Sequence, residues 1–331
     1  MQAVMTKTER VLAALKRDEV DHVPVSAWWH DFEREWSAEG LAETTLEAYR
    51  KYDWDFVKVN PRATYYAEDW GTQYAQREGR QPDLIEPGVS SPQDLQRIQP
   101  LDLTQGAYGE QIEALKLIAR GMADEAPFIQ TVFSPLAVMS RITGSTKYTQ
   151  RLMSENWNEL LITLDPITDT LAAYSRACLD AGAAGIFFAT VEWGSADVIS
   201  IEDYERFCRP FDLRVLEAVK HAPFNVFHVC RQHNHLASLL DYPNVAAFHW
   251  ATQQDGNPSL SRIASKTERA VMGGVSQDET LMAGGPKDVS QEAAAAIGEM
   301  GGRRFLLAPG CSIDPQTPEA NLRALVEAAR S

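Results

Sequence analysis

His228 and Cys230 stand two positions apart, and a second sulfur follows a glycine at Gly310-Cys311. An imidazole and two thiolates form a soft donor set that selects zinc over magnesium or calcium. Three protein ligands leave one position for a reactant, the pattern of a catalytic rather than a structural zinc. A thiol bound there is deprotonated and becomes a nucleophile near neutral pH. The plain alternative is packing, because free cysteine is among the most buried residue types and His-x-Cys arises often by chance. Cys178 and Cys208 fall inside helical stretches and are expected to be core.

These residues can act together only if the chain gathers them. Eight short apolar or β-branched runs are each followed by a longer stretch of helical period. The runs are Val23–Trp28, Phe56–Asn60, Phe128–Phe133, Gly185–Thr190, Asn225–Val229, Val245–Trp250, Arg269–Gly273 and Arg304–Ala308. Several are apolar almost throughout, as parallel strands covered on both faces are. Clear helical stretches are Leu41–Tyr52, Tyr108–Arg120, Glu159–Ala181, Ile201–Ala222, Pro286–Met300 and Pro318–Arg330. Ser200 before Ile201 reads as a cap with an acid three positions on. Thr317-Pro318-Glu319 reads as a cap followed by proline at the first helical position, and Gly182 as a left-handed terminator. The pattern predicts an α/β fold, a single (β/α)₈ barrel over residues 1–331 with an elaborated second βα connection between Asn60 and Phe128. A dinucleotide-binding sheet is disfavoured, because no G-x-G-x-x-G follows the first strand.

In such a barrel the site lies at the C-terminal ends of the strands. His228 and Cys230 point to the same side of an extended chain, and Cys311 leaves the last strand. The other strand ends offer Trp28, Asn60, Ser134, Trp193 and Trp250 as expected substrate-binding residues. Glu192 and His249 are the expected catalytic residues: Glu192 as proton acceptor or support for an imidazole, His249 as an imidazole at its strand end, with a hydrogen bond to neighbouring backbone as the plain alternative. His233 and His235 lie nearby. The tryptophans could wall the mouth against a flat apolar ligand, although ordinary packing uses them equally well.

The 331 residues carry a formal net charge of −15. That argues against nucleic acid, which calls for a dense basic surface, and against an anionic membrane. No run of roughly 18 apolar residues occurs, and the N-terminus lacks the apolar core and cleavage site of a secretory signal. Four scattered cysteines do not make a disulfide framework in so long a chain. The expected setting is the cytoplasm; a homo-oligomer is compatible with all of this.

The segment Phe305–Leu322, FLLAPGCSIDPQTPEANL, resembles the C-terminal signature of the uroporphyrinogen decarboxylase superfamily. It is closest to the cobalamin-dependent branch, the methylcobamide:coenzyme M and methoxyl-demethylating methyltransferases. Ser200-x₃-Tyr204-x₂-Phe207-x₂-Pro210-Phe211 resembles a motif after the fourth strand, and Thr6–Pro24, an N-terminal helix followed by DHVPV, resembles the family's start. The resemblance spans essentially the whole chain. It implies a (β/α)₈ barrel, assigns His228, Cys230 and Cys311 as zinc ligands, and makes His249 the candidate for a further one. The implied reaction is zinc-dependent methyl transfer between a corrinoid or methylated donor and a thiol-type acceptor. The corrinoid would arrive on a separate protein, since no D-x-H-x-x-G signature is present.

Three departures stand out. The loop Ser26–Phe32 holds no arginine, and Lys58-Val59-Asn60-Pro61 no aspartate, where tetrapyrrole decarboxylases carry both. A substrate bearing many carboxylates would call for such arginines. Arg231 stands where the methyltransferase branch usually has glycine. Two rival readings remain: a metal-free, tetrapyrrole-directed carboxy-lyase, and a non-catalytic barrel with a structural metal.

Overall fold

The computed structural model describes residues 4–331. Its strands are β1 (Val57–Val59), β2 (Gln73–Arg77), β3 (Arg80–Glu86), β4 (Phe128–Phe133), β5 (Gly185–Ala189), β6 (Val226–His228), β7 (Ala247–His249), β8 (Ala270–Val275) and β9 (Phe305–Pro309). Seven of them form one curled parallel sheet in the order β1-β4-β5-β6-β7-β8-β9. β2 and β3 form a separate antiparallel hairpin inside the long connection from β1 to β4.

Alternation along the strands divides the core in two. Phe187 and Ala189 of β5, Val226 of β6, Ala247 of β7, and Leu306 and Ala308 of β9 pack together inside the curl. Ile186, Phe188, Phe227, Phe248 and Leu307, their neighbours in sequence, pack outward against the helices. Burying both faces is why the strands read as continuous apolar runs. Val11, on the N-terminal helix Lys7–Lys16, joins the inner cluster with Phe56 and Phe224 and plugs the end where the strands begin.

Seven of the eight expected strands form ladders. The run Val23–Trp28 contributes only a parallel bridge from Val25 to Leu307. Pro24 has no N–H to give, and the Val25 N–H goes to the Asp55 carboxylate at 3.0 Å instead of to a strand. The segment still spans the gap, because Leu307 N–H donates to Pro24 O at 2.8 Å and Asp55 N–H to Val25 O at 3.0 Å.

The helix expected over 201–222 is two helices, Ile201–Phe207 and Arg209–Ala218. Pro210 removes an intrahelical donor and clashes with the preceding turn, so the break falls at Cys208. Ser200 caps the first as expected, its hydroxyl accepting from Asp203 N–H at 3.1 Å. At the last helix the cap position is Pro318, and the helix runs Glu319–Arg330. Thr317 turns away, its hydroxyl donating to Asp314 O at 2.7 Å. Gly182 holds the expected left-handed conformation, with φ of 107°. Among the described residues no helix is long and apolar enough to cross a membrane.

Candidate metal centre

β6 and β7 run in register, with His228 opposite His249. Both side chains therefore point into the curl. Just beyond β6 the chain turns at Cys230, whose N–H meets the Thr190 hydroxyl at 3.4 Å. β9 ends at Pro309, and Gly310 bends the chain to bring Cys311 inward. A Cβ on Gly310 would stand 2.5 Å from Ala251 Cα, so only glycine fits that approach.

His228, Cys230 and Cys311 thereby converge, their ligand atoms all within 4.8 Å of one another. His228 Nε2 and Cys311 Sγ are 3.9 Å apart. Two ligands on one tetrahedral zinc stand about 3.6–3.8 Å apart, given bond lengths near 2.0–2.3 Å. Donor chemistry and spacing both fit zinc. The Cys311 thiol is held well below its ordinary range by a hydrogen bond from Cys230 and by His228 and Lys58. Cys230 is pushed up by the same neighbouring sulfur and by burial. Cys178 and Cys208 are fully buried, and burial pushes both thiols up. They are the packing cysteines.

The centre opens on a cavity of about 310 Å³. Of the residues expected to bind substrate, Trp28 and Asn60 line it. Ser134, Trp193 and Trp250 do not. Ser134 is buried as the residue before helix Pro135–Thr143. Trp193 is fully buried and donates to Ser140 Oγ at 2.9 Å. Trp250 faces outward next to inward His249 and donates to Pro258 O at 2.8 Å. The two expected catalytic residues also miss the cavity wall. Glu192 accepts from the Thr146 hydroxyl at 3.0 Å and stands 3.8 Å from Arg141, which does line the cavity. His249 is fully buried, with Nδ1 2.7 Å from His228 Nδ1 and Nε2 2.8 Å from Pro309 O. Both ring nitrogens are thus engaged away from a ligand position. His233 pairs with exposed Asp197, and His235 with Ile199 O, so neither turns to the centre.

The expected set lacked Lys58 and Phe187, although strand alternation places both inward. Lys58 is buried, its Nζ 4.9 Å from the Phe187 ring centre and 5.5 Å from that of Trp28, donating to Asn60 Oδ1. Burial lowers its amine to about 7 against the pull of Cys311 and Cys230. The loop after Cys230 is strained: Arg231 has φ of 71°, the left-handed region that glycine occupies freely. Val191, on the cavity wall, has φ of 52°, an outlier for a β-branched residue.

The family model described as uroporphyrinogen decarboxylase (URO-D) matches residues 6–331. The chain belongs to the URO-D family. Among the family's curated members, the methylcobamide:CoM methyltransferase MtbA of Methanosarcina acetivorans is 25% identical, with 98% of each chain covered. A uroporphyrinogen decarboxylase of Syntrophotalea carbinolica is also 25% identical, over 74% of this chain and 71% of that one. A solved methyltransferase structure from Methanosarcina mazei superposes with a TM-score of 0.81 at 23% identity, covering 98% of each chain, so the two share one fold from end to end.

Proposed function

We propose that this URO-D family member is a corrinoid-linked methyltransferase whose metal is zinc and whose acceptor is a thiol. The observation that carries the reading is the convergence of one ring nitrogen of His228 with Cys230 Sγ and Cys311 Sγ, all within 4.8 Å of one another at the strand ends and open to a cavity. The full-length likeness to a methylcobamide:CoM methyltransferase supports it. Pro24–Ala27 serves as the eighth stave, closing the sheet into a barrel that forms one domain over 1–331.

Zinc bound there supplies Lewis acidity that keeps an acceptor thiol ionised near neutral pH. The chain's own residues do the rest. His228, Cys230 and Cys311 hold the donor atoms in place. Trp28 and Phe187 keep water from the inner wall. Lys58 presents an amine beside the sulfurs, where it offsets negative charge on the acceptor. Asn60 orients that amine. Glu192 acts at one remove, by positioning Arg141. The methyl donor, a methylated corrinoid, would be presented on a separate protein at the open end.

Two assays decide. Purified protein is expected to hold one zinc per chain by elemental analysis and to methylate a small thiol from methylcobalamin. Zinc-free protein that decarboxylates uroporphyrinogen would establish the carboxy-lyase reading. The absence of arginine from Ser26–Phe32 speaks against that outcome.

A further inference from the structure

His249 is in no position to touch a reactant, yet it sits where an imidazole is most demanding to bury. It is fully buried, and its ring centre lies 4.5 Å from that of His228. Its Nε2 is 2.8 Å from Pro309 O. A carbonyl oxygen only accepts, so Nε2 carries the proton. His228 Nδ1 faces His249 O, which only accepts, so that nitrogen carries its own proton and His249 Nδ1 must be bare to meet it. The 2.7 Å contact between the two Nδ1 atoms then has one reading: His228 Nδ1–H donates to His249 Nδ1. His228 Nδ1 also lies 3.2 Å from His249 O, a second acceptor that demands the same proton. With Nδ1 protonated, His228 Nε2 keeps its lone pair, and that is the atom 3.9 Å from Cys311 Sγ.

We propose that His249 is a positioning residue that fixes the metal-ready tautomer of His228 and ties it to the backbone just before Cys311. The chain of bonds runs from His228 through one neutral imidazole to Pro309, two residues before the second sulfur. It links the β6 ligand to the β9 ligand across the inside of the curl. A histidine ligand commonly passes its far N–H to a carboxylate or a carbonyl. Here a second histidine takes that place and hands the constraint on to another ligand's strand. The inference rests on the metal reading above and concerns residue 249 alone.

The test uses the whole chain labelled with ¹⁵N-histidine. In zinc-loaded protein, long-range ¹H–¹⁵N spectra are expected to show His249 protonated at Nε2 and bare at Nδ1, and His228 protonated at Nδ1. A proton on His249 Nδ1 overturns the proposal. Competition with a chromophoric chelator gives the second readout. His249→Phe, which fills the space without either bond, is expected to bind zinc about tenfold more weakly. His249→Gln, which has both a donor and an acceptor, should recover most of that loss. Equal affinity in wild type and His249→Phe also overturns the proposal. Should the Phe variant fail to fold, the wild-type spectrum still decides. Wild-type protein that takes up no zinc defeats the metal reading instead, and its metal-free spectrum still reports which nitrogen of His249 is protonated.

Discussion

Arg10 and Lys58 are both buried cations inside the same fold, at opposite ends of the strands. Arg10, on the N-terminal helix, bonds Asp21 at 2.6 Å and Asp55 at 2.7 Å. Asp55 in turn receives the Val25 N–H, so the pair fastens the helix and the Pro24–Ala27 segment to the start of β1. Lys58, on β1 itself, meets one amide oxygen and the faces of two aromatic rings. The charges at the N-terminal end are neutralised by their neighbours. The amine at the C-terminal end lies beside sulfurs whose own charge depends on what they bind. One end is built to hold still, and the other carries a group that becomes well placed only when the cavity is filled.

That contrast can be broken by mutation. Cys311→Ser should have the largest effect, abolishing stoichiometric zinc (more than about 100-fold weaker binding) while the thermal melt of metal-free protein stays near wild type. Zinc retained by that variant would remove the centre from the C-terminal end. Asp55→Ala comes next. Breaking one partner of a buried pair costs about 3–5 kcal/mol, read as a lower melting temperature, with zinc affinity within twofold of wild type. Lys58→Met has the opposite sign. Removing an amine that has no carboxylate partner should stabilise metal-free protein by about 2 kcal/mol while lowering methyl-transfer rate.

The smallest effect is a matter of pH. The Arg10 guanidinium holds the Asp21 carboxyl well below the usual carboxylate range. The unfolded chain therefore binds the proton first as pH falls, so this contribution is present above about pH 4 and lost below it. Asp21→Asn should flatten that acid limb in denaturant titrations and lower stability at pH 7 by about 1 kcal/mol. An unchanged slope would mean that Asp21 is not part of the fastening.

Much of this was readable in the chain. Continuous apolar runs located seven ladder strands, because both faces of each are covered. The convergence of His228, Cys230 and Cys311 was readable because residues two apart on an extended chain share a side, and because Cys311 leaves the last strand. Val23–Trp28 misled, since nothing local to that run shows that Asp55, thirty residues on, will occupy the Val25 N–H. The cavity wall was readable only in part. Trp250 follows inward His249, so alternation already sends it outward, and the same rule turns Phe187 and Lys58 inward. Glu192 and Trp193 lie beyond the strand, in a one-turn helix where alternation no longer applies.

The hairpin of β2 and β3 has a consequence of its own. It forms no ladder with the parallel sheet, yet Gln81 reaches the cavity that His228, Cys230 and Cys311 line, and Leu84 packs at Gly144. A pocket wall borrowed from outside the sheet can be lengthened, shortened or rewritten with little disturbance to the staves beneath. Within this architecture, the shape of the cavity is therefore free to drift while His228, Cys230 and Cys311 stay together.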